Sequence, residues 1–551
     1  MYKQVLDPVG NSLFLSAIVA AVPLLTLFIL LGVLRMKAWI ASLISLLVSL
    51  LVAILAYGMP TGQAVLSATE GAAFGIFPIL WIVVNAIWIY NMTVETGHFD
   101  VLRRSFARIS DDQRIQAILI AFSFGALLEA LAGFGTPVAI SSVMLIALGF
   151  RPLKAAAVSL VANTAPVAFG ALAVPITTLS KVSNLPVHDL GSTVGRQTPI
   201  LALFVPLALV GIVDGRRGVR QTWPAALLCG FAFAVAQFVT SNYISVPLTD
   251  IVASLFSAVV VVLFLRVWQP AETYAAGVPS VPVVAGGAVD EPTADFTRRV
   301  ERGGDSRAEV AKAYAPYLII IAVFVIAQIP AVLHALDSVT KTFAWPGLNV
   351  ASSKGKPLSL VQFKFNWLSA AGTLLLISGL ITMPVLRISP AKALRAYIDT
   401  LRQLQWAIIT VAAVLALAFV MNASGQTTTL GTWMAGAGGA FAFLSPILGW
   451  LGVAVTGSDT SSNSLFGALQ VTAADKAGLD ATLMAASNSS GGVLGKMISP
   501  QNLAIAAAAV GLAGREGDIF RRVFLWSLLF LLGMCVLVYL QSTPVLSWML
   551  P

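Results

Sequence analysis

Charge is what this chain has least of. Asp, Glu, Lys and Arg make up only 10% of its 551 residues, against 58% hydrophobic residues and a mean hydropathy of +0.89, whereas soluble proteins average roughly 25% charged. That balance excludes an ordinary soluble domain and predicts a polytopic membrane protein with the lipid bilayer as its main partner. Cysteine is nearly absent too. Cys229 and Cys535 both lie inside apolar runs, with no CxxC or Cys/His cluster of metal-ligand spacing, so neither a disulfide framework nor a metal site is expected. The three histidines, His98, His188 and His334, read as loop residues, which argues against a histidine relay. The chain has no GxxxxGK[ST] phosphate loop, no HExxH and no nucleophile elbow. These absences exclude an ATP-driven pump with its motor in this chain and leave no constellation for an enzyme, and no cofactor is expected. The net charge of +9 is scattered over short loops rather than gathered in a basic domain, so nucleic acid is not an expected partner.

What is present is a long series of apolar runs. Spans of about 20 residues are predicted near 12–34, 38–58, 72–92, 152–180, 196–213, 222–241, 247–267, 313–333, 366–384, 403–423, 481–512 and 520–541. The first run is longer than a signal-peptide core and lacks a small-residue cleavage site, so it reads as a retained helix. Two further apolar segments, 113–150 and 438–474, are interrupted by Gly-rich stretches. Basic residues favour cytoplasmic loops. Arg35 and Lys37 place the first loop inside, and Arg103, Arg104, Arg108 and Arg114 do the same for the third. If 113–150 crossed once, Arg151 and Lys154 would face outward; a re-entrant hairpin turning back at Gly133 to Pro137 keeps them inside. Arg216, Arg217 and Arg220, then Arg387, Lys392, Arg395 and Arg402, then Arg515, Arg521 and Arg522 all agree with the hairpin. Against it stands the segment from His334 to Lys364, external in this scheme yet carrying Lys341, Lys354, Lys356 and Lys364.

The fold class expected is therefore all-α, with about 12 transmembrane helices plus two re-entrant hairpins. Residues 1–267 form a first membrane half with hairpin 113–150 and broken helix 152–180. Residues 313–551 form a second, with hairpin 438–474 and broken helix 481–512. Residues 268–312 mix Pro, Gly, Ala and charges of both signs and read as a mostly disordered cytoplasmic linker.

The two halves share their punctuation. Asn163, Gly170 and Pro175 recur about 325 positions later, at the same spacing, as Asn488, Gly495 and Pro500, and Gly125, Gly133 and Thr136 match Gly449, Gly457 and Thr460. The topology runs the first repeat inward where it runs the second outward, so the repeats are inverted, and inverted repeats with broken helices place a substrate site where the halves meet near the midplane. A helix restarting after a break points unpaired N–H groups and a partial positive charge at whatever lies before it. Gly133, Phe134, Gly135, Thr136, Asn163, Thr164, Ser458, Thr460, Ser461, Asn463, Asn488, Ser489 and Ser490 surround these breaks. They are the candidate substrate-binding residues, suited to a carboxylate; the alternative is that small residues mark tight helix packing.

Ionisable residues within the spans are few. Glu129 lies ahead of the first tip, Asp459 at the second, and Lys496 inside the second broken helix. A charge near the bilayer centre costs roughly 2.5 to 3.5 kcal/mol, so such groups face a cavity or a partner. Glu129 has no acidic counterpart, Val453 occupying the matching place. Burial favours the protonated form of a carboxyl, which makes Glu129, together with Asp459, the candidate proton-coupling residues. A structural ion pair between Glu129 and Lys496 is the alternative. Lys496 either offsets the charge of a bound anion or neutralises Asp459 or Glu129.

With these motifs placed, the chain resembles the L-lactate permease family of bacterial inner-membrane proton symporters. The strings that carry the resemblance are "DPVGNSLFLSAIVAAVPLLTLFILLGVLRMKAW", "LLEALAGFGTPVAISSVMLIALGF", "ANTAPVAFG", "TGSDTSSNSLFGALQ" and "NSSGGVLGKMISPQN". At longer range "SNSSGGVLGKMISPQN" is similar to the broken helices of the divalent anion/sodium symporters, whose paired Ser-Asn-Thr tips bind carboxylates. The first tip here, Gly-Phe-Gly-Thr-Pro, departs from that pattern, so the sodium sites are not carried over. The resemblance implies uptake of L-lactate, with D-lactate and glycolate as further substrates, together with protons, by a multi-pass protein of the bacterial inner membrane. A lone anion moving inward opposes an inside-negative potential by about 2.3 kcal/mol per 100 mV, which one accompanying proton removes. Sodium-coupled carboxylate uptake and an anion channel are the rival readings. Elevator against rocking motion, and the oligomeric state, with a homodimer one arrangement, stay open.

Overall fold

The computed structural model describes residues 1–551 apart from 35, 108, 132, 134, 275–304, 328 and 514. Among the described residues the chain is helical almost throughout, its strands being four pieces of two to four residues. Ten helices are long and apolar enough to cross a bilayer, or eleven if the bent pair Pro152–Ala162 and Val167–Ser183 forms one span. This count and the dozen read from the sequence cover different segments: Gln113–Leu131 and Gln426–Thr456 belong to the segments read as hairpins, 152–180 is the bent pair, and 481–512 is split into helices of 15 and 10 residues; two further expected spans are fused and one is short. Val187–Ile244 is one helix of 58 residues, about 87 Å long at 1.5 Å per residue, far beyond a hydrocarbon core of roughly 30 Å. It breaks at Asp214 and Gly215, the latter at φ 61°, and each part is long enough to cross. The expected span at 366–384 is Ala371–Leu386, only 16 residues.

Segment 113–150 folds as two limbs, Gln113–Leu131 and Thr136–Ala147, around a tip where Gly133 and Gly135 have φ of 46° and 83°. Side chains with a Cβ rarely adopt such angles, and Pro137 sits in the first turn of the restarting limb, where its missing N–H costs nothing. The open end is closed by Gln113 Nε2 donating to the Leu148 carbonyl at 3.2 Å. Every residue of the limb Gln113–Leu131 is buried, with Phe122 against Phe233 at 4.9 Å between ring centres and Phe124 against Phe99 at 6.0 Å. Non-helical backbone is tolerated at membrane depth only when protein or water covers it, and that burial provides the cover.

Segment 438–474 repeats the plan with limbs Phe441–Thr456 and Asp459–Ala477 turning at Gly457, φ 75°. It enters from the other face. The first hairpin opens toward the Arg151–Lys154 turn, where Lys154 Nζ donates to the Val213 carbonyl at 2.5 Å. The second packs Gly467 against Leu179 and Val182, at the far end of the first broken helix, where Lys181 Nζ reaches the Gln362 carbonyl at 2.7 Å.

The two broken helices solve the same geometric problem differently. Pro152–Ala162 and Val167–Ser183 meet at 64°, and Ala171, Leu172 and Ala173 make a left-handed turn, φ 45°, 55° and 59°. In the second repeat Ala481–Gly495 passes through a tight turn, Lys496–Ile498, and restarts at Pro500–Ala509, capped by Ser499 Oγ accepting from the Asn502 N–H at 3.3 Å.

Most of the expected linker, 275–304, lies outside the described residues. Its flanks are anchored: the Glu272 carbonyl accepts from Arg114 Nη2 at 2.5 Å and Asp305 pairs with Arg104 at 2.7 Å, and the helix Arg307–Ala327 begins before residue 312. The lysine-bearing segment after His334 is folded. Lys341–Ala344 pairs antiparallel with Gln362–Phe365, and Val350–Ala351 pairs in parallel with Tyr2–Lys3, on the face where Tyr2 Oη donates to the Ser424 carbonyl at 2.9 Å.

Candidate functional site

Both hairpin tips and both broken helices border one cavity of about 1220 Å3. That exceeds the roughly 300–1,000 Å3 of an enclosed small-molecule pocket and describes a vestibule. Its mouth carries Lys37, Trp39, Trp406 and Glu516, with Trp39 stacked on Trp406 at 4.9 Å. Its depth carries Glu129, Gly133, Gly170, Ala171, Ser458, Asp459, Thr460, Ser461 and Lys496.

Among the described residues the one cation in the depth, Lys496, is spoken for. Lys496 Nζ lies 2.6 Å from Glu129 Oε1, and Asn163 Nδ2 donates to Glu129 Oε2 at 3.0 Å. The ion pair joins the first hairpin of one half to the broken helix of the other, with side-chain exposures of 4% and 7%. Gly170 makes room for it, since a Cβ there would fall 2.8 Å from Glu129 Oε1. A buried pair held this way is costly to break one-sidedly, about 3–5 kcal/mol, because a lone charge is left behind.

Asp459 has no ion partner within bonding distance among the described residues. Its Oδ2 accepts from Ser489 Oγ at 2.5 Å and from Asn463 Nδ2 at 3.4 Å, while Oδ1 has no hydrogen-bond partner and faces the place where a side chain on Gly492 would stand. It occupies the first turn of Asp459–Ala477, where the helix dipole favours negative charge. The dipole at this N-terminus is thus already met by the Asp459 side chain.

The remaining sequence-derived candidates divide into lining and support. Gly133, Ser458, Thr460 and Ser461 line the cavity, Ser458 Oγ also accepting from the Ser461 N–H at 3.3 Å. Asn463 and Asn488 lie one layer behind. Asn463 Nδ2 donates to the Pro175 carbonyl at 3.1 Å, across the repeats, and Asn488 Nδ2 donates to Asn463 Oδ1 at 2.9 Å. Gly135 abuts Ile505 and Asn502. Thr136 is half-buried, its N–H donating to the Gly133 carbonyl at 3.0 Å. Thr164 turns its hydroxyl back to the Val161 carbonyl at 2.7 Å, and Ser490 Oγ is buried without a partner among the described residues. Phe134 lies outside the described residues.

Sequence reasoning missed Gln501, Thr410 and the Trp39–Trp406 mouth. Gln501 follows the Pro500 break directly and was there to be found; Thr410 and the tryptophans sit on unbroken helix or its edge and carry no repeat signal. The histidines all lie in helices, at or near their ends, rather than in loops, and none lines the cavity.

Comparison with known proteins agrees along the whole chain. The family model described as L-lactate permease matches residues 16–545. The L-lactate permease of Bacillus subtilis (strain 168) is 42% identical, with 100% of each chain covered. The glycolate permease GlcA of Escherichia coli (strain K12) is 44% identical over 98% of each, and the L-lactate permease of the same strain 40% identical over 100% of each. Among solved structures, Neisseria gonorrhoeae MtrF aligns with 86% of this chain and 83% of its own at 13% identity and a TM-score of 0.45, too distant a likeness to carry an argument. By family model and by full-length identity alike, the chain belongs to the L-lactate permease family.

Proposed function

We propose that this protein is a secondary carrier that brings lactate, and glycolate with it, into the bacterial cell together with protons. The observation that carries the proposal is the Glu129–Lys496 pair at the floor of a vestibule between two oppositely entering hairpins. A proton on Glu129 releases Lys496, which then meets the carboxylate of a 2-hydroxy acid. Thr460, Ser461 and the N-terminus of Asp459–Ala477 supply donors for the carboxylate and its hydroxyl. A second proton on Asp459 removes the repulsion at that helix end. Proton first and anion second is thus the favoured loading order, and neither binds well alone. Full-length identity to both lactate and glycolate permeases supports the substrate class.

The vestibule mouth carries Lys37 and leads past Glu516 beside Arg515, and basic loops face the cytoplasm. We read this conformation as inward-facing, and the two halves as inverted repeats whose exchange of packing exposes the site alternately. Residues 1–267 and 313–551 would be the halves, joined by 268–312.

The test is counterflow in proteoliposomes loaded with unlabelled lactate. Labelled lactate is expected to accumulate transiently against its gradient, competed by glycolate and not by succinate. Absence of counterflow favours a channel, and succinate competition favours a dicarboxylate carrier; either result overturns the proposal.

A further inference from the structure

On the far side of the first broken helix lies a buried acid that the scheme above does not use. Asp250 stands in the first turn of Thr249–Phe264 and is 0% exposed. Its Oδ1 accepts from Gln237 Nε2 at 2.9 Å, and its Oδ2 has no hydrogen-bond partner among the described residues. The same Gln237 nitrogen reaches the Ala165 carbonyl at 3.3 Å, inside the break that follows Asn163, and Gln237 Oε1 accepts from Thr198 Oγ1 at 3.2 Å. Asn163 in turn holds Glu129. A line of buried polar groups therefore runs from Asp250 through Gln237 and the 163–166 break to the Glu129 carboxylate.

The position of Asp250 is opposite to that of the vestibule. It follows the turn 245–248, which lies by the face where His188 Nε2 meets the Asn242 carbonyl at 3.2 Å, whereas the other end of the long helix carries Asp214, paired with Arg114 at 3.2 Å. The charged groups on the elements packed around it are otherwise engaged. Glu129 holds Lys496; Lys181 donates to the Gln362 carbonyl; Arg196 donates to Asn242 Oδ1 and to the Met549 carbonyl, both at 2.9 Å; His188 and Asp189 are exposed and face each other. Segment 117–124 has no titratable side chain. An ionised carboxylate with no cation against it is expensive to bury, and the unpartnered Oδ2 is a place where a proton can be held.

We propose that Asp250 is the outer-side proton donor to Glu129, a step that rests on the proton-coupled reading above. When the protein turns outward, the proton leaves Asp250 Oδ2 and arrives on the Glu129 carboxylate, carried by water held among the polar atoms of Gln237, Ala165 and Asn163. The Glu129–Lys496 pair opens, Lys496 keeps its own proton and turns to the substrate, and Asp250, now an anion, recovers a proton from hydronium on the outer face. The acid that loads from outside and the acid that releases inside are then different residues, separated by the 163–166 break.

The test compares wild type, Asp250→Asn and Asp250→Glu in sodium-free proteoliposomes by two readouts. Labelled lactate exchanging for unlabelled lactate needs no net proton movement; alkalinisation driven by a lactate gradient does. Asp250→Asn keeps the acceptor for Gln237 and is expected to exchange near the wild-type rate while alkalinisation slows about tenfold or more, with recovery in Asp250→Glu and partial recovery of Asp250→Asn by azide, a small weak acid. Alkalinisation at the wild-type rate in Asp250→Asn, or equal loss of both readouts, overturns the proposal. Should Asp250→Asn fail to insert, Gln237→Leu takes its place, with the same selective loss expected and the same outcomes overturning it. Wild-type protein that exchanges lactate without moving protons would overturn the proton-coupled reading itself, so the two failures are distinguishable.

Discussion

Gly170 lies so close beneath the Glu129 carboxylate that one added methyl group would displace it. Gly170→Ala is expected to pull Glu129 off Lys496, at the cost of a charge-assisted hydrogen bond worth about 1.5–3 kcal/mol, and to slow uptake per folded molecule by about tenfold or more. Initial rates of lactate uptake check this, and an unaltered rate contradicts the role given to the pair. The glycine was legible in the sequence because it recurs as Gly495. The turn after it was not. Nothing in Ala171, Leu172 and Ala173 favours left-handed backbone, which costs L-residues about 1–2 kcal/mol each, and the matching Lys496–Ile498 turn is right-handed. Packing imposes it. Ala173→Gly is therefore expected to raise the melting temperature or leave it unchanged, since relief of φ 59° outweighs the roughly 0.5–1 kcal/mol of chain freedom that glycine adds; a clear fall would contradict a strained turn.

At the scale of elements, the second hairpin and the second broken helix meet backbone to backbone. A Cβ on Gly449, Gly491 or Gly495 would run into the carbonyl of Asn488, Pro446 or Trp450, none of which can shift without its helix. Small residues permit this approach where no hydrophobic force drives helices together in lipid. Gly449→Ala is expected to destabilise by at least the 1–3 kcal/mol or so typical of overpacking, read as a lower melting temperature in detergent. Gly533→Ala, which has open space around its Cβ position, serves as the neutral control. Equal behaviour of the two variants would contradict the close packing. The hairpins and broken helices were legible because each break appears twice. Ala371–Leu386 and the fused Val187–Ile244 were less so, because hydropathy fixes where the chain is apolar and not where a helix stops.

For the molecule as a whole, the basic loops are what assign sides, and contacts within the fold bring Arg114, Lys154 and the Asp214 break to one end. The lysines of 341–364 escape that logic because the segment is a folded cap, tied to Tyr2–Lys3 and to Gln63, whose Nε2 donates to the Gly347 carbonyl at 2.9 Å. The vestibule gives a further expectation. A cysteine at Thr460 should react with a membrane-impermeant thiol reagent from the cytoplasmic face, while the buried Cys229 and Cys535 stay silent. Labelling from the outer face alone would contradict the inward-facing assignment. The geometry of charge coupling, by contrast, was only half legible: the sequence offered Glu129, Asp459 and Lys496 as a set, and the fold decided which two touch.

The most direct measurement is lactate uptake and external pH recorded together on sodium-free proteoliposomes, for wild type and Glu129→Gln. Wild type is expected to alkalinise the medium in proportion to the lactate taken up, and Glu129→Gln to lose the coupled signal. Uptake that requires sodium, or coupled alkalinisation that survives in Glu129→Gln, would contradict it.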